Sequence, residues 1–125
     1  MDGLELVVKQ PFDGKRCIDV LLDKTAEEVD RMAAAESLMY FQDSRACGAL
    51  WQVVSDPTEE DELREEAAGS LGTLWMELGI DYDRLSLIPE RFLREALHDI
   101  LMRPDAIDWD QLDNRTASFI REERT

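Results

Sequence analysis

The chain has 125 residues, 44% of them hydrophobic, a length and core fraction that fit one domain and exclude wholesale disorder. Fourteen Lys and Arg stand against 29 Asp and Glu, a formal net charge of −15. Such a balance repels phosphate backbones and anionic lipid head groups, which argues against a nucleic-acid or membrane-surface binder.

No apolar run approaches the roughly 20 residues of a membrane span, and no basic-then-apolar leader opens the chain. Cys17 and Cys47 are too few for a disulfide framework. They are expected to be reduced thiols in the cytoplasm.

Leu4, Leu6 and Val8 alternate with Glu5 and Val7, a weak strand pattern, and Pro11-Phe12-Asp13-Gly14 supplies a turn. Residues 1–15 therefore read as an extended N-terminal arm. Cys17 to Leu22 fits either the return strand of a hairpin or a short helix, a run too brief for periodicity to decide. From Thr25 the pattern is helical. Thr25 with Glu28 has capping-box spacing, and Val29, Met32, Ala33, Glu36, Met39 and Tyr40 recur at helical steps.

After a break at Gln42-Asp43-Ser44, Ala46, Leu50, Trp51, Val53 and Val54 define a shorter helix that stops before Pro57. Thr58 with Asp61 repeats the capping spacing. The long helix that follows carries Leu63, Ala67, Leu71, Leu74, Trp75 and Leu78 on one face, with Gly79 as its C-terminal cap. Asp81-Tyr82-Asp83 is turn-like, and Leu85, Leu87 and Ile88 form a short apolar piece. Pro89 suits the first turn of a helix striped by Phe92, Leu93, Ala96, Leu97, Ile100 and Leu101. A last helix is predicted from about Asp108, with Trp109, Leu112, Thr116, Phe119 and Ile120 on one side. The three tryptophans, Trp51, Trp75 and Trp109, sit on apolar stripes and read as core.

A slide of the chain against itself by 33 positions superposes Asp23 on Asp56, Thr25 on Thr58, Ala34-Ala35 on Ala67-Ala68 and Ser37-Leu38 on Ser70-Leu71. A slide by 30 puts Leu63-Arg64-Glu65 on Leu93-Arg94-Glu95. Each unit reads as a short helix, a turn bearing Asp or Pro, and a longer helix, and such pairs bury their apolar faces by stacking.

Leu63-Arg64-x-x-Ala67-Ala68-x-x-Leu71-Gly72-x-Leu74, after the turn Asp56-Pro57, resembles the second helix of a HEAT or HEAT-like repeat. The likeness is best over 46–78 and extends in weaker form over 17–42 and 82–102. The period is shorter than the family's usual one, the third unit's first helix is stunted, and Val29-Asp30-Arg31 is out of step by one. Ankyrin and tetratricopeptide repeats share the period, but the Thr-Pro-Leu-His turn of the former and the spaced alanine and aromatic of the latter are missing. The resemblance implies an all-α fold, a short right-handed stack of antiparallel helix pairs with about six helices in a HEAT-like α-solenoid. One domain, 1–125, would comprise the arm at 1–15, repeat helices at 16–104 and a capping helix at 105–125.

Signals for catalysis are thin. His98 is the sole histidine and falls on the polar side of its helix; no Gly-rich phosphate loop, Cys-x-x-Cys or nucleophile elbow is present. Asp105, Asp108, Asp110 and Asp113 invite a calcium reading, yet the order and glycine of an EF-hand loop are missing. No metal or other cofactor is expected. The informative run is Asp56, Glu59, Glu60, Asp61, Glu62, Glu65 and Glu66, with Arg64 as its one local cation. Carboxylates in the first turn of a helix are stabilised by its dipole, but that effect fades beyond one turn. Glu62 with Glu66, and Asp61 with Glu65, are like-charged neighbours that cost a few tenths of a kcal/mol each.

In HEAT arrays the second helix of each repeat lines the inner surface. The resemblance therefore implies that Glu62, Glu65, Glu66, Thr73 and Glu77 face a groove, joined by Asp30 and Ser37 from the preceding unit and by Glu95 and His98 from the next. Asp61, in the same acidic run, and Tyr82, read as an exposed aromatic between two aspartates, complete the expected partner-binding set. The expected function is a non-catalytic acidic protein binder, in its sharpest form an immunity-type inhibitor of a basic toxin or effector such as a nuclease. A monomer or weak dimer is expected, with no nucleic-acid or membrane partner. The alternatives are a HEAT-like adaptor or scaffold subunit, which would act through apolar edges, and an enzyme or enzyme subunit, which would need His98, a cysteine or the Asp105–Asp113 cluster in a pocket.

Overall fold

The computed structural model describes residues 14–123, and every regular element among them is helical. The α-helices are α1 (Gly14–Leu22), α2 (Glu28–Ser37), α3 (Ser44–Val54), α4 (Asp61–Leu78), α5 (Tyr82–Leu85), α6 (Glu90–Met102) and α7 (Asn114–Glu123). Short 3-10 turns occupy Leu38–Tyr40, Pro104–Ala106 and Trp109–Gln111. The segment that fitted either a hairpin strand or a helix is helical, as α1. The predicted strand at 4–8 and most of the arm at 1–15 lie outside the described residues.

Helix α4 is the centre of the molecule, packed against α2, α3 and, most extensively, α6; α1 lies against both α2 and α3. Small residues permit the close approach of α4 to α6. A Cβ on Gly72 would stand 2.0 Å from the carbonyl oxygen of Ala96, so only glycine fits there. Leu63, Ala67, Leu71, Leu74 and Trp75 of α4 are buried with Phe92, Leu93, Ala96, Leu97 and Ile100 of α6 in one core. Gly79 ends α4 with φ +116° and donates its N–H to the Trp75 carbonyl at 2.8 Å, the C-terminal cap read from the sequence.

The 33-residue correspondence extends to hydrogen bonds. Thr25 donates its backbone N–H (2.9 Å) and hydroxyl (2.6 Å) to the Asp23 carboxylate, and Thr58 does the same to Asp56 at the same distances. Arg31 reaches back ten residues to the Leu21 carbonyl (2.9 Å), and Arg64 reaches back ten to the Val54 carbonyl (3.0 and 2.8 Å). These contacts correct the expected capping boxes. The threonines stand before the N-cap positions, Glu27 and Glu60, neither of which makes a side-chain cap, and they brace turns instead.

They also correct the face of α2. Val29, Ala33 and Tyr40 are exposed, while Arg31, Ala34, Ala35 and Leu38 are buried. The helix turns Arg31 inward because the guanidinium finds both the Leu21 carbonyl and the Glu59 carboxylate there; Arg31 and Arg64 are thus in step after all.

Further along the chain, Pro89 is the N-cap of α6 rather than a first-turn residue, and Leu87 points outward while Leu85 and Ile88 are buried. The final helix starts later than Asp108. Asp108 heads a 3-10 turn by accepting from the Asp110 N–H, and Asp113 accepts from the Thr116 N–H at the start of α7. Trp75 is core and Trp51 half-buried. Trp109 departs from the core expectation: it is exposed, with Arg121 over its ring at 5.4 Å. No described helix is long and apolar enough to cross a membrane.

Candidate functional site: an acidic face on helices α2, α4 and α6

The acidic run divides at the start of α4. Two acids of its first part are neutralised by the protein's own cations: Arg31 grips Glu59 through two hydrogen bonds of 2.9 and 2.5 Å, and Lys24 pairs with Asp56 at 2.8 Å. The Arg31 guanidinium holds the Glu59 carboxyl below its ordinary range, and Lys24 with Thr58 does the same for Asp56. Asp61 faces Arg91 at 3.3 Å on the surface.

The second part is different. Glu62, Glu65 and Glu66 make no ion pair among the described residues, and with Met32, Gly69 and Glu95 they line one shallow depression. Arg64 does not neutralise them despite its place in the sequence. It is only 4% exposed, lies inward against the Val54 carbonyl and sits over the Phe92 ring at 4.7 Å.

Glu66 also borders a second depression, where Thr73, Glu95, His98 and Asp99 meet Met39 of the 3-10 turn. Burial pushes the Glu66 carboxyl up, and the neighbouring Glu36 carboxylate pushes it further in the same direction. Thr73 donates its hydroxyl to Asp99 at 2.7 Å, which lowers the Asp99 carboxyl, and His98 Nδ1 stands 3.2 Å from the other Asp99 oxygen. The His98 side chain is 69% exposed.

The structure therefore brings together Glu62, Glu65, Glu66, Thr73, Glu95 and His98. Glu77 extends the same side beyond Thr73 and Asp99, and Asp61 lies in a neighbouring dip with Glu28, Glu60 and Glu62. Tyr82 stands apart. It is half-buried and its hydroxyl accepts the Asp108 N–H at 2.8 Å, so Tyr40, not Tyr82, is the exposed tyrosine.

Asp30 and Ser37 also stand apart, in a groove between α1 and α2 beside Cys17 and Val20. The inward turn of Arg31 rotates them off the acidic face and puts Met32 and Met39 there instead. The sequence reading missed Asp99, Ser70, Met32 and Met39; no motif marks them, and only the packing of α2, α4 and α6 collects them.

No group of three or more His, Cys, Asp or Glu able to hold a metal occurs among the described residues. Asp108 and Asp113 serve as local caps. Burial raises the Cys47 thiol, which keeps it protonated and unreactive. No family model, curated protein or solved structure matches the chain.

Proposed function

We propose that this protein is a non-catalytic binder of basic proteins, built as a short HEAT-like stack of helix pairs. In its sharpest form it is an immunity-type inhibitor that occupies the cationic surface of a toxin or effector such as a nuclease. The observation that carries the reading is the state of Glu62, Glu65, Glu66 and Glu95: four glutamates gathered on one side, none of them in an ion pair among the described residues. The nearest arginine in sequence, Arg64, is spent on a backbone carbonyl. Like charges left together in this way destabilise the free protein slightly, and a basic partner converts that cost into attraction.

A net charge of −15 accelerates encounter with a cationic cleft, and a packed helical scaffold presents the carboxylates with little reordering on binding. Placement in the cytoplasm, action as a monomer or weak dimer and the absence of catalysis belong to the same proposal.

The test is calorimetric titration with poly-L-lysine and with a cationic ribonuclease at low and high salt. Affinity should fall steeply as salt rises, and the triple variant Glu62→Gln/Glu65→Gln/Glu66→Gln should bind about tenfold more weakly at low salt. An affinity indifferent to both ionic strength and the triple variant would sink the reading and leave the adaptor alternative in its place.

A further inference from the structure

The depression bordered by Glu66, Glu95 and Asp99 contains a group that the acidic face alone does not explain. Ser70 is 2% exposed and lines this depression, and its hydroxyl has no hydrogen-bond partner among the described residues. Helical hydroxyls commonly return a bond to the carbonyl four residues earlier. Ser55 does so to Trp51 (2.8 Å), whereas Ser70 does not. With 2% of the residue exposed and no bond from the protein, the hydroxyl is open only to what enters the depression that Ser70 lines.

We propose that this depression is a socket for one lysine or arginine side chain of the partner, an inference that rests on the reading of the protein as a binder of basic proteins. Three carboxylates border it, and two of them, Glu66 and Glu95, have no cation of their own. The two cationic residues that line it are already engaged: Arg94 makes two hydrogen bonds to Glu123 (2.5 and 3.0 Å), and His98 is drawn to Asp99. Net negative charge excludes an anionic ligand.

The depression measures about 310 Å3, ample for one long side chain. Met39 and the bare backbone of Gly69 give an apolar wall for its methylene stem, while the ammonium or guanidinium donates to the Ser70 hydroxyl oxygen and the carboxylates. A cation there would also relieve the Glu66 carboxylate, which stands half-buried beside Glu36.

Amide NMR titrations with Nα-acetyl-arginine amide and Nα-acetyl-lysine amide test the socket, with Nα-acetyl-citrulline amide as the neutral control. The cationic probes should give saturable shifts centred on Gly69, Ser70, Thr73 and Glu95, and the control none. Ser70→Ala and Glu95→Gln should each weaken the better probe several-fold, by up to about tenfold, whereas Glu62→Gln, outside the depression, should change it less than about twofold.

Two results would overturn the socket: unsaturable shifts spread along Glu60 to Glu66, or shifts at Ser70 that both socket variants leave unchanged. Poly-L-lysine titrated in parallel separates the two readings. Salt-dependent polymer binding without a localised response to the amino-acid amides removes the socket and keeps the basic-partner reading. Loss of polymer binding removes both.

Discussion

Arg31 and Arg64 are one residue type used once as an ion-pair partner and twice as a carbonyl clamp. Arg31 is buried with Glu59, the two side chains 6% and 8% exposed, so removal of the guanidinium leaves a carboxylate out of water with only Lys24, at 3.5 Å, as a partner. Arg31→Met should destabilise the fold by about 3 kcal/mol in urea denaturation, and the double variant Arg31→Met/Glu59→Leu should recover a substantial part of that loss. Arg64→Met deprives the Val54 carbonyl of two N–H donors and should cost about 1–3 kcal/mol in the same measurement. If Arg64→Met proved neutral, the carbonyl clamp would not be a stabilising feature of the second unit. The sequence shows an arginine amid acids and invites the reading of a surface counter-charge. Burial of that arginine depends on where α3 ends relative to α4, which no local pattern states.

At the scale of elements, the match of α4 to α6 rests on the absence of a side chain. Gly72→Ala would drive a Cβ into the Ala96 carbonyl and should destabilise by about 3 kcal/mol, since α6 must shift to admit it. Gly48 on α3 is the opposite case: no atom stands within 4 Å of a Cβ there, and Gly48→Ala should stabilise by about 0.5–1 kcal/mol through helix propensity. Thermal melts of the two variants, read against one another, test whether close approach rather than glycine content governs the packing. The spans of α3, α4 and α6 were legible because their apolar residues recur at helical spacing and Pro57, Gly79 and Pro89 punctuate them. The orientation of α2 was not. Its stripe of Val29, Ala33 and Tyr40 is as regular as a buried one, but two polar anchors for Arg31 outweigh the burial of a valine and an alanine.

For the whole molecule, stability follows pH through carboxyls shifted in opposite directions. Glu66 is held above the ordinary 4.5, so the folded state binds more protons than the unfolded one as pH falls from neutral toward that value, and folding is favoured. Glu59 and Asp56 are held below their ordinary 4.5 and 3.8. Their contribution is present above those values and is lost as pH falls through the folded pKa. Melting temperature should therefore pass through a maximum on the acid side of neutral, near about pH 5, and Glu66→Gln should flatten the rise between pH 7 and that maximum. Added salt should raise the melting temperature at pH 7 by screening the self-repulsion of a chain at −15; no response to salt would show that the face is already neutralised. The sequence by itself determined the helical class, most helix spans, the two matching turns and the sign of the surface, because these follow from spacing and composition within short windows. Only the tertiary structure decided which acids stay bare, which arginines turn inward, and that Ser70, Glu95 and Asp99 share one depression. Those outcomes depend on helices distant in the chain meeting at chosen faces, where a few polar contacts outbid the local apolar pattern.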